Sequence, residues 1–134
     1  MAFTPITRDS GKSRALEMAA STTITKGDAL KFDTNGFVVP SVSTDAEVLF
    51  SADETKTSAA ASNPLINVTQ VRETEYIADT ASNTTQAQVG DKVDLASATT
   101  LANTASSNDV FLITDLVGIS TDKQVKGYFV QKTS

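Results

Sequence analysis

The chain is 134 residues long, has a formal net charge of −5 at pH 7, and contains no histidine, cysteine or tryptophan. Without histidine and cysteine, the usual zinc, copper and iron–sulfur sites cannot be built, and neither can Ser–His or Cys–His nucleophilic pairs. An acidic chain without a cluster of Lys and Arg also disfavours binding to nucleic-acid phosphates. We therefore expect no catalytic residue, no metal, no cofactor and no enzymatic activity.

The remaining composition predicts β-structure with long polar loops. The sequence contains 14 Ser and 20 Thr; Thr favours strands, whereas Ser favours turns and caps. No run approaches the roughly 20 apolar residues of a membrane span, and the N-terminus lacks the apolar region of a signal peptide. The absence of cysteine fits synthesis in a reducing cytoplasm.

Residues 1–23 are predicted to form an N-terminal arm, followed by a single β-domain over residues 24–134. The segment 13–20 contains good helix formers but is shorter than the roughly 12 residues that an isolated helix needs. The arm is locally basic within an acidic protein. Two interpretations stay open: a frayed terminus, or an arm that orders when it docks on an acidic partner. The candidate partner-binding residues of the second interpretation are Phe3, Pro5, Arg8, Lys12, Arg14 and Leu16.

The strand pattern begins at 26–33, where Leu30 and Phe32 alternate with polar residues. Asn35-Gly36 predicts a tight hairpin turn into a returning strand, which Pro40 ends because proline donates no hydrogen bond. Apolar or alternating runs predict further strands at 46–51, 65–71, 74–78, 89–95, 110–113, 116–119 and 124–130. Polar loops are predicted at 53–63, 79–88 and 96–109. About seven or eight short antiparallel strands are typical of an all-β barrel or sandwich.

Two predicted strands start with the same Gly-Asp-x-Φ-x-Φ pattern, 63 residues apart, at Gly27-Asp28 and Gly90-Asp91. Glycine adopts the turn conformation before a strand, and Asp stabilises the turn by bonding nearby backbone. The pattern either marks two related sheets or repeats by chance.

The acidic residues form no recognisable catalytic or calcium motif. Glu73 and Glu75 share one predicted strand face, and Asp91 and Asp94 lie close together in sequence. A carboxylate pair for glycoside hydrolysis needs a sugar-sized cleft, which nothing in the sequence indicates, and the sequence contains no Asp-x-Asp-x-Asp-Gly calcium loop. We interpret these carboxylates as parts of solvated faces.

Three segments carry a family resemblance by the order of their features. They are ITKGDALKFDTNGFVVPSVSTDAEVLF, ETEYIADTASNTTQAQVGDKVDLASATTLA and NDVFLITDLVGISTDKQVKGYFV. In this order the chain from Ile24 to Val130 resembles small head proteins of tailed bacteriophages, namely capsid decoration or cement proteins and a related phage β-barrel family. The resemblance implies a structural virion protein that binds the outer capsid surface and bridges neighbouring major capsid protein subunits. It also implies a homo-oligomer, with a trimer favoured over a dimer, on the exterior of a virion assembled in the host cytoplasm.

Two other functions remain open. A tail, head–tail or fibre-base protein would share this cysteine-free, β-rich composition. A carbohydrate- or cell-surface-binding β-module would need exposed aromatic residues in its loops, whereas Tyr76 and Tyr128 lie in predicted strands.

Overall fold

The computed structural model describes residues 3–6, 13–118 and 122–132. Within these residues the chain is all-β, and its regular structure consists of strands and one short 3-10 turn. The strands, in chain order, are β1 (Phe3–Pro5), β2 (Ser13–Glu17), β3 (Thr23–Ile24), β4 (Ala29–Phe32), β5 (Val38–Pro40), β6 (Phe50–Ala52), β7 (Lys56–Thr57), β8 (Leu65–Gln70), β9 (Glu75–Asp79), β10 (Lys92–Ser97), β11 (Thr100–Ala102), β12 (Phe111–Leu116) and β13 (Gln124–Phe129). The 3-10 turn covers Gln86–Gln88.

The strands form two curled antiparallel sheets and one short strand pair. One sheet has the order β1-β9-β13-β12-β10-β11, the second has the order β2-β8-β6-β4-β5, and β3 pairs with β7. A single parallel bridge joins Met18, after β2, to Val38 in β5, and another joins Thr80, after β9, to Leu101 in β11. Through these bridges the chain after β2 meets β5 and the chain after β9 meets β11, so each sheet curls. The all-β architecture confirms the predicted small barrel or sandwich, but the described residues form 13 strands where about seven or eight were predicted.

The two sheets repeat one five-stranded unit. We call β2, β4, β5, β6 and β8 the N-terminal unit, and β9 to β13 the C-terminal unit. When the five strands of each unit are numbered along the chain, both units have the same order across the sheet: first, fifth, fourth, second, third. The registers agree: Leu16 lies opposite Ile66 in the N-terminal unit, and the equivalent Ala78 lies opposite Val125 in the C-terminal unit.

The Gly-Asp motifs occupy equivalent positions in the two units, at positive φ angles of 94° for Gly27 and 95° for Gly90. The amide of Gly27 donates to the carbonyl of Ala52 at 2.9 Å, and the amide of Ala52 donates back to the carbonyl of Asp28 at 3.0 Å. Gly90 donates in the same way to Ile113, at 2.7 Å. The sequence pattern therefore marks two related sheets, which was the first of the two interpretations.

Each unit has its own apolar core. Met18, Ile24, Leu30, Phe50 and Ile66 are among the buried residues of the N-terminal core. The C-terminal core contains a cluster of aromatic rings from Phe3, Tyr76, Phe111 and Phe129.

The units meet where the outer face of the N-terminal sheet packs against the C-terminal core. Ala29 of β4 belongs to the C-terminal cluster, and its amide donates to the carbonyl of Ala98 at 2.7 Å. The hydroxyls of Ser51 and Tyr76 form a buried hydrogen bond of 2.7 Å across the same contact. Burial raises the pKa of Tyr76, as does the nearby Asp53 charge, while the Ser51 hydrogen bond lowers it.

The described part of residues 1–23 differs from the expected arm. The segment 13–20, which contains helix-forming residues, includes the strand β2. This strand pairs with β8 over its full length, because the ladder pairing outweighs a weak helix propensity. β1 pairs with β9, and Phe3 is fully buried in the C-terminal core. Both described segments therefore belong to the sheets.

Three other local expectations also differ. The predicted loop 53–63 contains β7, and the predicted loop 96–109 contains β11. The predicted strand 116–119 is described only to residue 118, and this part adds no separate strand, because Leu116 ends β12 and residues 117–118 form a bend.

Candidate protein-binding surface

The structure distributes the predicted partner-binding residues over two sheets. Phe3 and Pro5 lie in β1, where Phe3 is a core residue and Pro5 is half-buried. Arg14 and Leu16 lie in β2, where Arg14 is exposed and Leu16 packs half-buried against the N-terminal core. The other two candidates, Arg8 and Lys12, lie outside the described residues.

Three apolar side chains on the outer face of the C-terminal unit lie in one row with two charged side chains. The row follows the strand register from Ile6 through Glu75, Tyr128 and Leu112 to Lys92. Ile6 is 40% exposed, Tyr128 is 37% exposed and Leu112 is half-buried. We call these five residues the outer row.

The N-terminal unit has an equivalent row, but that row is covered. The register of β4, β6 and β8 makes Ala29, Ser51 and Thr69 the counterparts of Lys92, Leu112 and Tyr128. Ala29 and Ser51 are buried against the C-terminal unit, through the contact that the Ser51 hydroxyl makes with Tyr76.

The two rows therefore differ in the size of their side chains, because one row is covered by the other unit and the other row is not. Small residues, Ala29 and Ser51, let the two units approach closely. On the C-terminal unit the same positions carry a lysine and a large apolar residue, and the face is open to solvent. Large apolar side chains within a polar rim are typical of a protein-binding surface.

Other exposed apolar side chains are scattered over the N-terminal unit. Phe32, which is 41% exposed, packs edge-on against Phe50 with 5.3 Å between ring centroids. Val42 follows β5, and Leu65 begins β8. Single exposed apolar residues of this kind are ordinary on protein surfaces.

The polar loops are held to their own domain by buried polar side chains. Asp94 does not lie on a solvated face as the sequence predicted: it is 6% exposed, and its carboxylate accepts hydrogen bonds from the amides of Ser107, Asn108 and Asp109 at 2.6–2.9 Å. These bonds hold the loop between β11 and β12 against the C-terminal unit.

A second polar anchor joins the loop after β9 to the segment after β11. The buried side chain of Asn103 accepts from the amide of Ser82 and donates to the carbonyls of Ser82 and Asn83 and to the side chain of Gln88. These bonds fix both segments beside the strands of the C-terminal unit, so neither needs a neighbouring protein for order.

The described residues include two buried carboxylates, those of Asp28 and Asp94. No group of three or more acidic side chains in this part of the chain is placed to hold a metal ion. Asp28 is buried, and this burial raises its pKa, while a hydrogen bond from the Thr25 amide acts in the opposite sense. Its carboxylate therefore stabilises the turn before β4 by accepting the Thr25 amide.

The described residues include no helix with the length and apolar character needed to cross a membrane. In comparisons with known proteins, no protein-family model, no curated protein and no solved structure matches the chain.

Proposed function

We propose that this chain is a structural virion protein that binds the outer surface of a tailed-phage capsid and bridges neighbouring major capsid protein subunits. The order of sequence features supports this assignment, since from Ile24 to Val130 it resembles capsid decoration proteins. In this proposal the protein is not an enzyme, and its binding surface lies on the exterior of the particle.

The outer row is the observation that carries the proposal. It places Tyr128 and Leu112 opposite each other on paired strands, and Ile6, just after β1, is bonded to β9. The two strand residues are held by a sheet rather than by loops. A rigid surface loses little conformational entropy on binding. Many such modest contacts, repeated over a lattice, stabilise a shell by mass action.

The first experiment asks where the protein is in the particle. Purified heads and tails of the parent phage would be separated, and the copies of this protein counted by quantitative mass spectrometry. Hundreds of copies in heads are expected. A few copies confined to tails would favour the tail or head–tail alternative, and absence from the particle would refute the proposal.

The second experiment tests the surface. We expect Tyr128→Lys to weaken binding to expanded shells by about tenfold or more, which corresponds to about 1.4 kcal/mol. Leu65→Lys is the matched control, because Leu65 is 55% exposed and lies outside the outer row. Ile6→Lys is a second variant on the row. Equal binding by all three variants would show that the outer row is not the capsid contact.

A glycan array separates the carbohydrate-binding alternative. The structure offers little for stacking on a sugar, because Tyr76 is fully buried while Tyr128 and Phe32 lie in different sheets. A specific glycan ligand would nevertheless overturn the capsid assignment if shells did not bind.

A further inference from the structure

The outer edge of β2 has no strand partner among the residues that the structure describes, whereas the equivalent edge of β9 is covered. β9 pairs with β13 on one side and with β1 on the other. β2 pairs with β8 in the same register, but along its other side the described chain provides only the single bridge at Met18. Within the described ranges, the N-terminal unit therefore has no counterpart of β1.

The covered edge identifies which backbone groups of β2 point outward. The carbonyl of Glu75 accepts the amide of Ile6 at 2.7 Å, so Glu75 and alternate residues after it point toward β1. Backbone groups alternate in this way along an antiparallel strand. In β2 the equivalent residues are Ser13, Ala15 and Glu17. Their backbone amides and carbonyls therefore point away from β8, toward the outer edge.

The edge of β2 lacks two of the usual protections against pairing, a proline and a very short strand. Natural sheets protect their edges with prolines, very short strands, bulges or charged side chains. β1 carries Pro5, β5 carries Pro40, and β11 is only 3 residues long. β2 is 5 residues long, contains no proline and is mostly exposed.

We propose that β2 pairs with β2 of a second copy of this chain, antiparallel about a twofold axis at Ala15. The outward-pointing set is symmetric about Ala15, so this register matches Ala15 with Ala15 and Ser13 with Glu17. Every outward-facing amide and carbonyl of these three residues then has a partner. The twofold axis makes the surface self-complementary, as in most homodimers.

The side chains of β2 suit this register. Ser13 comes opposite Glu17, and Arg14 comes opposite Leu16, so no like charges face each other directly. The aliphatic part of Arg14 covers the partner's half-buried Leu16. Alanine on the axis leaves room for the two strands to approach.

The pairing involves one short strand from each copy, so we expect a weak, concentration-dependent dimer. Small interfaces, below about 1,200 Å², are typical of transient association. The inference does not depend on the capsid proposal, and its twofold dimer differs from the trimer expected from the family resemblance.

Sedimentation velocity over a concentration series tests the proposal on the full chain. Ala15→Pro removes the outward amide at the axis but no bond to β8, because that amide points away from β8. Ala15→Lys places two like charges opposite each other. Both variants are expected to weaken the dimer by about tenfold or more, whereas Gln131→Lys, an equal charge change on an exposed residue after β13, leaves it unchanged.

Cysteine cross-linking gives an independent readout, because the natural sequence contains no cysteine. Residues directly opposite in a hydrogen-bonded antiparallel pair have Cα atoms about 5.5 Å apart, which lies within the span of a disulfide. Ala15→Cys should therefore form a disulfide-linked dimer on mild oxidation much faster than Gln131→Cys. A monomer at all concentrations, a trimer, equal cross-linking rates, or a dimer that tolerates both Ala15→Pro and Ala15→Lys would each overturn the proposal.

Discussion

Replacing Phe3 with alanine tests whether the N-terminal strand is part of the folded core. Phe3 is fully buried, and its ring centroid lies 5.0 Å from that of Phe129 and 6.4 Å from that of Phe111. Truncation of a buried Phe to Ala costs about 3–5 kcal/mol, through lost apolar burial and the cavity that remains. We expect a value near the lower limit, because β1 is an edge strand and can shift to fill part of the space.

Such a loss would be a large fraction of the stability of a domain this size, which is about 5–15 kcal/mol. Urea unfolding followed by far-ultraviolet circular dichroism measures it, since the chain has no tryptophan for fluorescence. Ile6→Ala is the control, because Ile6 continues the same segment but is 40% exposed and should cost less than about 1 kcal/mol. Equal, small losses in both variants would refute the docking of β1 and restore the interpretation of residues 1–23 as an arm.

Three further predictions follow from individual side chains. Asp94→Ala should cost about 1–3 kcal/mol and speed hydrogen exchange of the Ser107–Asp109 amides, which lose their buried acceptor; unchanged exchange would contradict this. Gly127→Ala should cost about 3 kcal/mol or more in urea unfolding, since a Cβ there would lie 2.0 Å from the Leu112 carbonyl oxygen; a loss below about 1 kcal/mol would contradict this close packing. The free energy of unfolding of Asp28→Asn, relative to that of the natural chain, should increase as pH rises from about 3 to 7. The reason is that burial raises the pKa of Asp28, so the folded natural chain favours the protonated carboxyl and is destabilised when this group ionises. A difference between these two chains that does not change with pH would exclude that linkage.

The sequence predicts best the elements whose determinants lie close together along the chain. The β4–β5 hairpin is an example: Gly36 takes a positive φ of 86°, and the Asp33 carboxylate accepts the amides of Asn35 and Phe37. These determinants are local, so the pattern of residues reveals them. The Gly-Asp pattern also has a local cause, the turn before each strand, and it correctly indicates that the sheets are related.

A strand whose residues favour another structure, or one that is very short, cannot be predicted in the same way. β2 consists largely of helix-forming residues, and it becomes a strand because β8, about 50 residues later, provides a ladder. β1, β3, β7 and β11 are only 2 or 3 residues long, which is too short for a hydrophobic period to appear. The outer row is missed for a related reason, since its residues become neighbours only through the register of four strands.

A comparison of equivalent positions in the two units separates the residues that the shared fold requires from the residues that differ because of their surroundings. Phe50 and Phe111 are identical at equivalent core positions, so the shared architecture accounts for them. Ser51 and Leu112 also occupy equivalent positions, but Ser51 contacts the other unit while Leu112 faces outward. The small size of Ser51 follows from its contact with the other unit, and the open face of the C-terminal unit places no such limit on Leu112. The partner proposed above for the outer row would give the apolar Leu112 side chain a surface to pack against.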